Sequence, residues 1–251
     1  MITNNLYSQV YDNFGKLGLS QMQLHFSEIS DDITANRISI TEGLLKLTNY
    51  QIDFKTQNTA ISLVRAAAFP FIKELKDFDF EFQPSLNRQK ILELSTLGFL
   101  EKRENIVFLG SSGVGKTHLA TSLGIISAQH KNSTYFIKCN DLFLQLKKAK
   151  LENRLEAKLK NYAKYKLLII DEIGYLPINK EDSNLFFQLI DMRYESKSTI
   201  FTTNISFDKW ESIFIDAITA NAILDRILHH AHIIAISGNS YRLKDIAQLE
   251  S

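Results

Sequence analysis

Apolar positions divide the chain into two regimes. In roughly the first 66 residues they follow helical spacing. Leu44, Leu45 and Leu47 predict an amphipathic helix with Thr41 at its N-cap, Glu42 in its first turn, Ile40 stapled onto Leu45 and Gly43 as a weak point. Ile61, Leu63 and Val64, with Ala66 to Ala68, predict a further helix. Beyond residue 105 the pattern changes. IVFL (106–109), TYFI (134–137), LLII (167–170), TIFT (199–202) and HIIAI (232–236) are mostly apolar at successive positions, as parallel strands covered on both faces are. Helical stretches separate these runs, which predicts a three-layer α/β domain with a five-stranded parallel sheet, preceded by a small helical N-terminal domain. Between the regimes lies AAAFPFIKELKDFDFEFQPSL, where Phe78, Phe80 and Phe82 alternate with Asp79 and Glu81 and Pro70 and Pro84 interrupt regular structure. It reads as an extended connector on a surface.

A length of 251 residues with 45% apolar side chains suffices for one large domain or for a domain with a smaller companion. Net charge is +1, but its distribution is uneven: residues 1–60 hold four basic and six acidic side chains, residues 131–166 ten and three. An acidic front and a basic middle imply two kinds of partner. The single cysteine, Cys139, excludes an intramolecular disulfide, and no Cys/His pattern has zinc spacing. A reducing, cytoplasmic setting is expected. The N-terminus lacks a signal-peptide pattern and no apolar run approaches the ~20 residues that span a bilayer, so no membrane partner is expected.

Chemistry enters with FLGSSGVGKTHLA. Gly110, Ser111, Ser112, Gly113, Val114, Gly115, Lys116 and Thr117 fill GxxxxGK[ST] after a predicted strand, and a helical pattern opens through His118. Backbone N–H groups of such a loop curl around phosphate oxygens and the helix N-terminus adds favourable dipole charge. Lys116 is placed to reach the β and γ phosphates and Thr117 to ligate Mg2+. LLIIDE supplies the complement: Asp171 at a strand end to hold the metal, and Glu172 beside it to orient or deprotonate water. Asn204, after TIFTT, is placed to sense the γ-phosphate or the attacking water. Residues 171–174 also fit DxxG and 179–182 fit NKxD, but the short gap between them, which includes Pro177, leaves no room for the strand that a guanine-reading loop follows. The second match is expected to be a polar loop.

The ordered set FPFIKELKDFDFEFQPSLNRQKILELSTLGFLEKRENIVFLG, GVGKTHLATSLG, LLIIDEIGYLP, TTNISFDKW and AILDRILHHAHIIAISGNSYR resembles the IstB-like ATP-binding proteins, transposition helpers close to DnaC helicase loaders and DnaA within the AAA+ ATPases. The resemblance covers roughly residues 60–245. It implies ATP as nucleotide, hydrolysis, self-assembly, and a nucleotide site completed by a neighbouring subunit. Arg226 resembles the trans-acting arginine finger, with Arg193 as the alternative. Arg242 lies where a further sensor sits, and the usual C-terminal helical lid is not expected. Ser111 and Ser112 stand where such loops often carry Pro, and Val114 where Thr is common; phosphate is held chiefly by backbone, so activity is not put in doubt. The implied organisation is an interaction domain over 1–66 and an ATPase domain over 67–251, with 67–104 as connector and base pocket.

The basic segment KKAKLENRLEAKLKNYAKYK, placed on one helix, sets Lys147, Lys150, Arg154 and Lys158 in one stripe and Leu151, Leu155 and Leu159 in a packing stripe beside it. A charged helix face is commonly only solvated, but initiator-type relatives carry a DNA-facing element here, so duplex DNA bound through its phosphates is the expected partner. The acidic N-terminal part fits either a protein-docking domain, for a transposase or a second subunit, or a structural helical cap. A replicative helicase loader is the alternative function. Adjacent His229 and His230 cannot share a helix face and His232 adds no zinc spacing, which weighs against metal there.

Overall fold

The computed structural model describes residues 2–175, 177–214 and 217–244. The chain divides into two units, Met1–Ser62 and Leu63–Ser251.

The first unit holds helices α1 (Ile2–Lys16) and α2 (Ser20–Thr34) and most of the long α3 (Ile40–Ala66). The two helices expected around Leu44 and Leu63 are thus one continuous helix. Its cap is Ser39, not Thr41: the Glu42 N–H donates to Ser39 Oγ at 3.2 Å and the Ser39 N–H to Glu42 Oε2 at 2.7 Å, a reciprocal capping box that satisfies two end groups at once. Gly43 is a close-approach point, because a Cβ there would meet Ile33 Cδ1 at 2.6 Å. The small core joins Met22, Ile29 and Leu47, with Phe14, Phe26 and Ile33 against them, whereas Leu44 and Leu45 are exposed.

The second unit is a parallel five-stranded sheet of β1 (Asn105–Gly110), β2 (Thr134–Lys138), β3 (Leu167–Ile173), β4 (Ser198–Thr203) and β5 (Ala231–Ile236), in the order β2-β3-β4-β1-β5. All five expected strands form, and alternation explains their unbroken apolar runs. Val107, Leu168, Ile170 and Phe201 face one layer, built from α7 (Cys139–Leu151), α8 (Leu155–Ala163), α9 (Lys180–Arg193), the short α10 (Trp210–Ile213) and α11 (Ala217–Leu228). Ile106, Phe108, Ile169 and Ile200 face the other, built from α4 (Arg88–Ser95), α5 (Gly98–Lys102) and α6 (Lys116–Gln129). A strand buried on both sides has no polar face to alternate with. Among the described residues no helix is long and apolar enough to cross a membrane.

The Phe-rich connector is not an extended surface strip. It forms a 3-10 turn at Leu75–Asp77, buries Phe78 in the core and sets Phe78 against Phe80 with ring centroids 4.9 Å apart. Apolar rings too large to leave in water draw the segment inward.

The basic segment also differs from expectation. It is two helices, α7 and α8, separated by a turn in which Asn153 takes a φ of 54°, so Lys147, Lys150, Arg154 and Lys158 form no single stripe. Leu151 is 85% exposed, whereas Leu159 is buried and Leu155 half-buried against the same core as Leu142, Phe143 and Leu146.

Candidate nucleotide-binding site

The carboxyl ends of β1, β3 and β4 and the N-terminus of α6 converge on a cleft of about 490 Å³, lined in part by Lys116, Thr117, Asp171, Glu172, Asn204 and Arg242. In open α/β sheets this end of the strands is where ligands bind. The loop between β1 and α6 is shaped by glycine. Gly115 has a φ of +99°, and a Cβ there would meet the Phe78 ring at 2.5 Å. Lys116 Nζ donates to Gly110 O and Ser111 O, both at 2.7 Å, so the cation is held over the loop's own backbone. Burial lowers the Lys116 pKa, opposed by nearby Asp171.

Opposite the loop, three elements meet at one carboxylate. Thr117 Oγ1 donates to Asp171 Oδ1 at 2.9 Å and Thr202 Oγ1 donates to the same oxygen at 2.6 Å. Asp171 is 1% exposed; burial raises its pKa, and the two threonine hydrogen bonds work against that rise. Glu172 follows at a φ of 62°, where β3 slips register against β4. A non-glycine residue there is strained by roughly 1–3 kcal/mol. The Glu172 N–H donates to Thr202 Oγ1 at 2.9 Å, so one hydroxyl fixes both acidic residues in their geometry. The Glu172 side chain turns toward solvent and pairs with Lys138 Nζ at 3.0 Å. That carboxylate, by hydrogen bonding, raises the Lys138 pKa.

Donor chemistry here fits a nucleotide triphosphate with a hard divalent cation. The loop offers backbone donors, an ammonium group and a helix N-terminus for phosphate, and Thr117 with Asp171 offers oxygen ligands of the kind Mg2+ takes. Ser111, Ser112, Gly113 and Val114 form the loop between Gly110 and Gly115, and exposed Asn204 lies at the tip of β4. His118 projects from the first turn of α6, its Nε2 3.1 Å from Glu74 O and its ring edge-on to Phe71 and Phe78. Burial lowers its pKa.

Two wall residues, Thr202 and Lys138, escaped the sequence reading. Thr202 carried a signal in the polar TTN at a strand tip, and Lys138 ends β2 one residue past its apolar run. Arg242 reaches the cleft because residues 237–244 turn back across the loop. The Tyr241 N–H donates to Gly113 O at 2.9 Å, Gln83 Nε2 to Asn239 O at 2.9 Å, and Lys244 pairs with Asp79 at 2.8 Å. The question of a C-terminal lid falls on residues after 244, outside the described residues.

The remaining candidates lie elsewhere. Arg226, in the last turn of α11, pairs with Asp191 at 2.8 Å and stacks on Phe187 at 4.7 Å; it does not line the cleft. Arg193 is 2% exposed and donates to the carbonyls of Tyr162, Ala163, Tyr165 and Ser198 and to Thr199 Oγ1. Buried itself and committed to five acceptors, it is an internal tie, which removes it as the alternative finger. Asn179 in the NKED segment caps α9, its side chain accepting from the Asp182 N–H at 2.9 Å. Lys147 pairs with Asp182 at 3.1 Å and Lys150 with Glu181 at 2.6 Å, while Arg154 pairs with Glu152 and Lys158 lies over the Tyr162 ring.

Residues 12–248 match the family described as IstB-like ATP binding protein. The chain belongs to this family. An ATP-binding protein of insertion sequence IS232 from Bacillus thuringiensis subsp. berliner is 60% identical over 241 residues, 96% of each chain. The corresponding IS21 protein of Pseudomonas aeruginosa is 39% identical over 92% of this chain and 87% of its own. Among solved structures, the DnaC helicase loader superposes with a TM-score of 0.52 at 26% identity, over 59% of this chain and 86% of that one. AMPPCP-bound DnaA from Aquifex aeolicus gives 0.58 at 19% identity, over 72% and 55%, which speaks to fold alone. The parallel-sheet core of this IstB-like chain therefore has the AAA+ fold of that loader.

Proposed function

We propose that this chain is an ATP-hydrolysing, DNA-binding helper of a transposase that assembles with itself on duplex DNA. The observation that carries the reading is the Asp171–Glu172 pair. One carboxylate is buried and tied to Thr117, the other turns outward in the same cleft, and the Thr202 hydroxyl donates to the Asp171 carboxylate while accepting from the Glu172 backbone N–H. A site built only to grip nucleotide has no need of the second acid; a site that activates water has.

In this reading Lys116 neutralises the β and γ phosphates, Thr117 and Asp171 hold Mg2+, Glu172 accepts the proton of the attacking water and Asn204 orients it. Mg2+, when bound, draws negative charge from the phosphate oxygens. Phe71, Phe78 and His118 supply an aromatic wall for the base. The Lys138 ion pair holds the Glu172 carboxylate aside, and Lys138 directly precedes α7. A ligand pulling on α7 therefore acts on the residue that restrains the general base. Arg226 acts on a neighbouring subunit's nucleotide, which its partial exposure and its place outside the lining of its own cleft support. The α7–α8 face, with Lys147, Lys150, Arg154 and Lys158, contacts DNA phosphates, and residues 1–66 dock protein ahead of the ATPase domain at 67–251.

The names of the relatives favour insertion-sequence transposition over the other reading, a helicase loader, which the likeness to DnaC supports. Electron microscopy of the Glu172→Gln chain with ATP, Mg2+ and duplex DNA tests the proposal. The expected result is an ordered DNA-bound oligomer with Arg226 facing the next subunit's nucleotide, and stimulation of the cognate transposase by the wild-type chain. ATPase activity indifferent to DNA and to protein concentration would count against assembly. Binding to a replicative helicase with no effect on the transposase would favour the loader.

A further inference from the structure

We propose that Glu195, His229 and His230 form a second metal site, separate from the nucleotide cleft, for a transition-metal dication of the zinc type. On a helix, adjacent histidines point about 100° apart and could not share an ion. Instead α11 ends at Leu228, and His229 and His230 occupy the turn before β5 with ring centroids 4.0 Å apart. The third ligand is remote in sequence. Glu195 takes a φ of 54° in the turn joining α9 to β4, and its Oε1 lies 3.8 Å from His230 Nε2 and 4.0 Å from His229 Nδ1. One ligand atom from each of the three residues falls within 4.8 Å of the others.

Two imidazoles and a carboxylate select zinc-like ions over magnesium or calcium, which prefer all-oxygen shells. Zinc–ligand bonds of ~2.0–2.1 Å put tetrahedral ligand atoms ~3.4 Å apart, so the observed separations from Glu195 must close by about half an ångström. All three side chains are exposed, which makes that adjustment small. The fourth position faces solvent and would take water. His232 is not part of the set, because its Nε2 is 2.9 Å from Glu104. The Tyr194 hydroxyl, 2.6 Å from His229 Nδ1, must swing off that nitrogen. Its ring also lies 5.9 Å from the Arg226 guanidinium, so metal capture and the proposed finger share a neighbour.

Calorimetric titration of the tag-free full chain with zinc chloride, in saturating Mg2+, tests the site. One zinc ion per chain is expected, lost in the His229→Ala/His230→Ala double variant and weakened about 10-fold or more in Glu195→Gln. Unchanged ATP affinity in the double variant shows that its fold is intact. X-ray absorption of the zinc-loaded wild-type chain needs no variant, and two imidazole scatterers are expected. Failure to take up zinc, equal zinc affinity in the double variant, or an all-oxygen shell would each overturn the proposal. None of these outcomes touches ATP hydrolysis.

Discussion

At the carboxyl ends of the strands, charged and polar side chains converge on one buried carboxylate; on α7 and α8 they disperse. Lys116, Thr117, Asp171 and Thr202 come from three elements whose relative placement the sheet fixes, so their hydrogen bonds follow from the fold. Lys147 and Lys150 instead meet Asp182 and Glu181 at the start of α9, so these two cations are answered from a different helix. A motif held by backbone keeps its meaning in three dimensions. A charge run does so only if nothing distant answers it.

The sharpest test of this contrast uses two arginines with opposite surroundings. Arg193→Ala orphans buried carbonyls and should cost about 3 kcal/mol or more, seen as a lower denaturation midpoint. Arg226→Ala loses an ion pair at the surface and should stay within about 1 kcal/mol, while lowering assembly-dependent ATPase. Equal destabilisation would erase the distinction between internal tie and surface arginine.

Thr202→Val, nearly isosteric, should lower turnover about 10-fold with little change in ATP affinity, because it frees both acidic residues at once. An unchanged turnover would show that the sheet alone suffices to place them.

For the basic helices, reversing Lys148 and Lys158 to Glu should weaken DNA binding more than reversing Lys147 and Lys150, whose charge is already answered. Anisotropy titrations over a range of salt would show it, each lost phosphate contact reducing the salt slope by about 1. The reverse order would mean that DNA strips Asp182 and Glu181 from their partners.

The smallest effect belongs to Lys138→Met. An exposed pair is worth at most about 1 kcal/mol, so basal phosphate release should rise up to about 5-fold. A fall would make Lys138 a contributor to the reaction in place of a restraint on Glu172.

The strands were legible because burial on both faces imposes runs of Val, Ile, Leu and Phe, and the phosphate loop because glycine, lysine and threonine at fixed spacing answer a local backbone need. Thr202 was not, because its role depends on β4 lying beside β3, a neighbour relation that no local pattern encodes. The Phe78 segment misled for a related reason. Alternation suggested an extended connector on a surface, but the ring fills space beside Gly115. Gly43, a weak point of α3 by propensity, is there for close packing against Ile33.

The central claim is that Glu172 activates water in a cleft that binds ATP without it. Glu172→Gln removes the base and leaves the loop untouched. Its ATP affinity, followed by a fluorescent nucleotide, should match the wild-type chain, while single-turnover hydrolysis with Mg2+ and duplex DNA should fall by about 10²–10⁴-fold. Hydrolysis within a few-fold of wild type would contradict the account and leave the Asp171–Glu172 pair as a structural strand end.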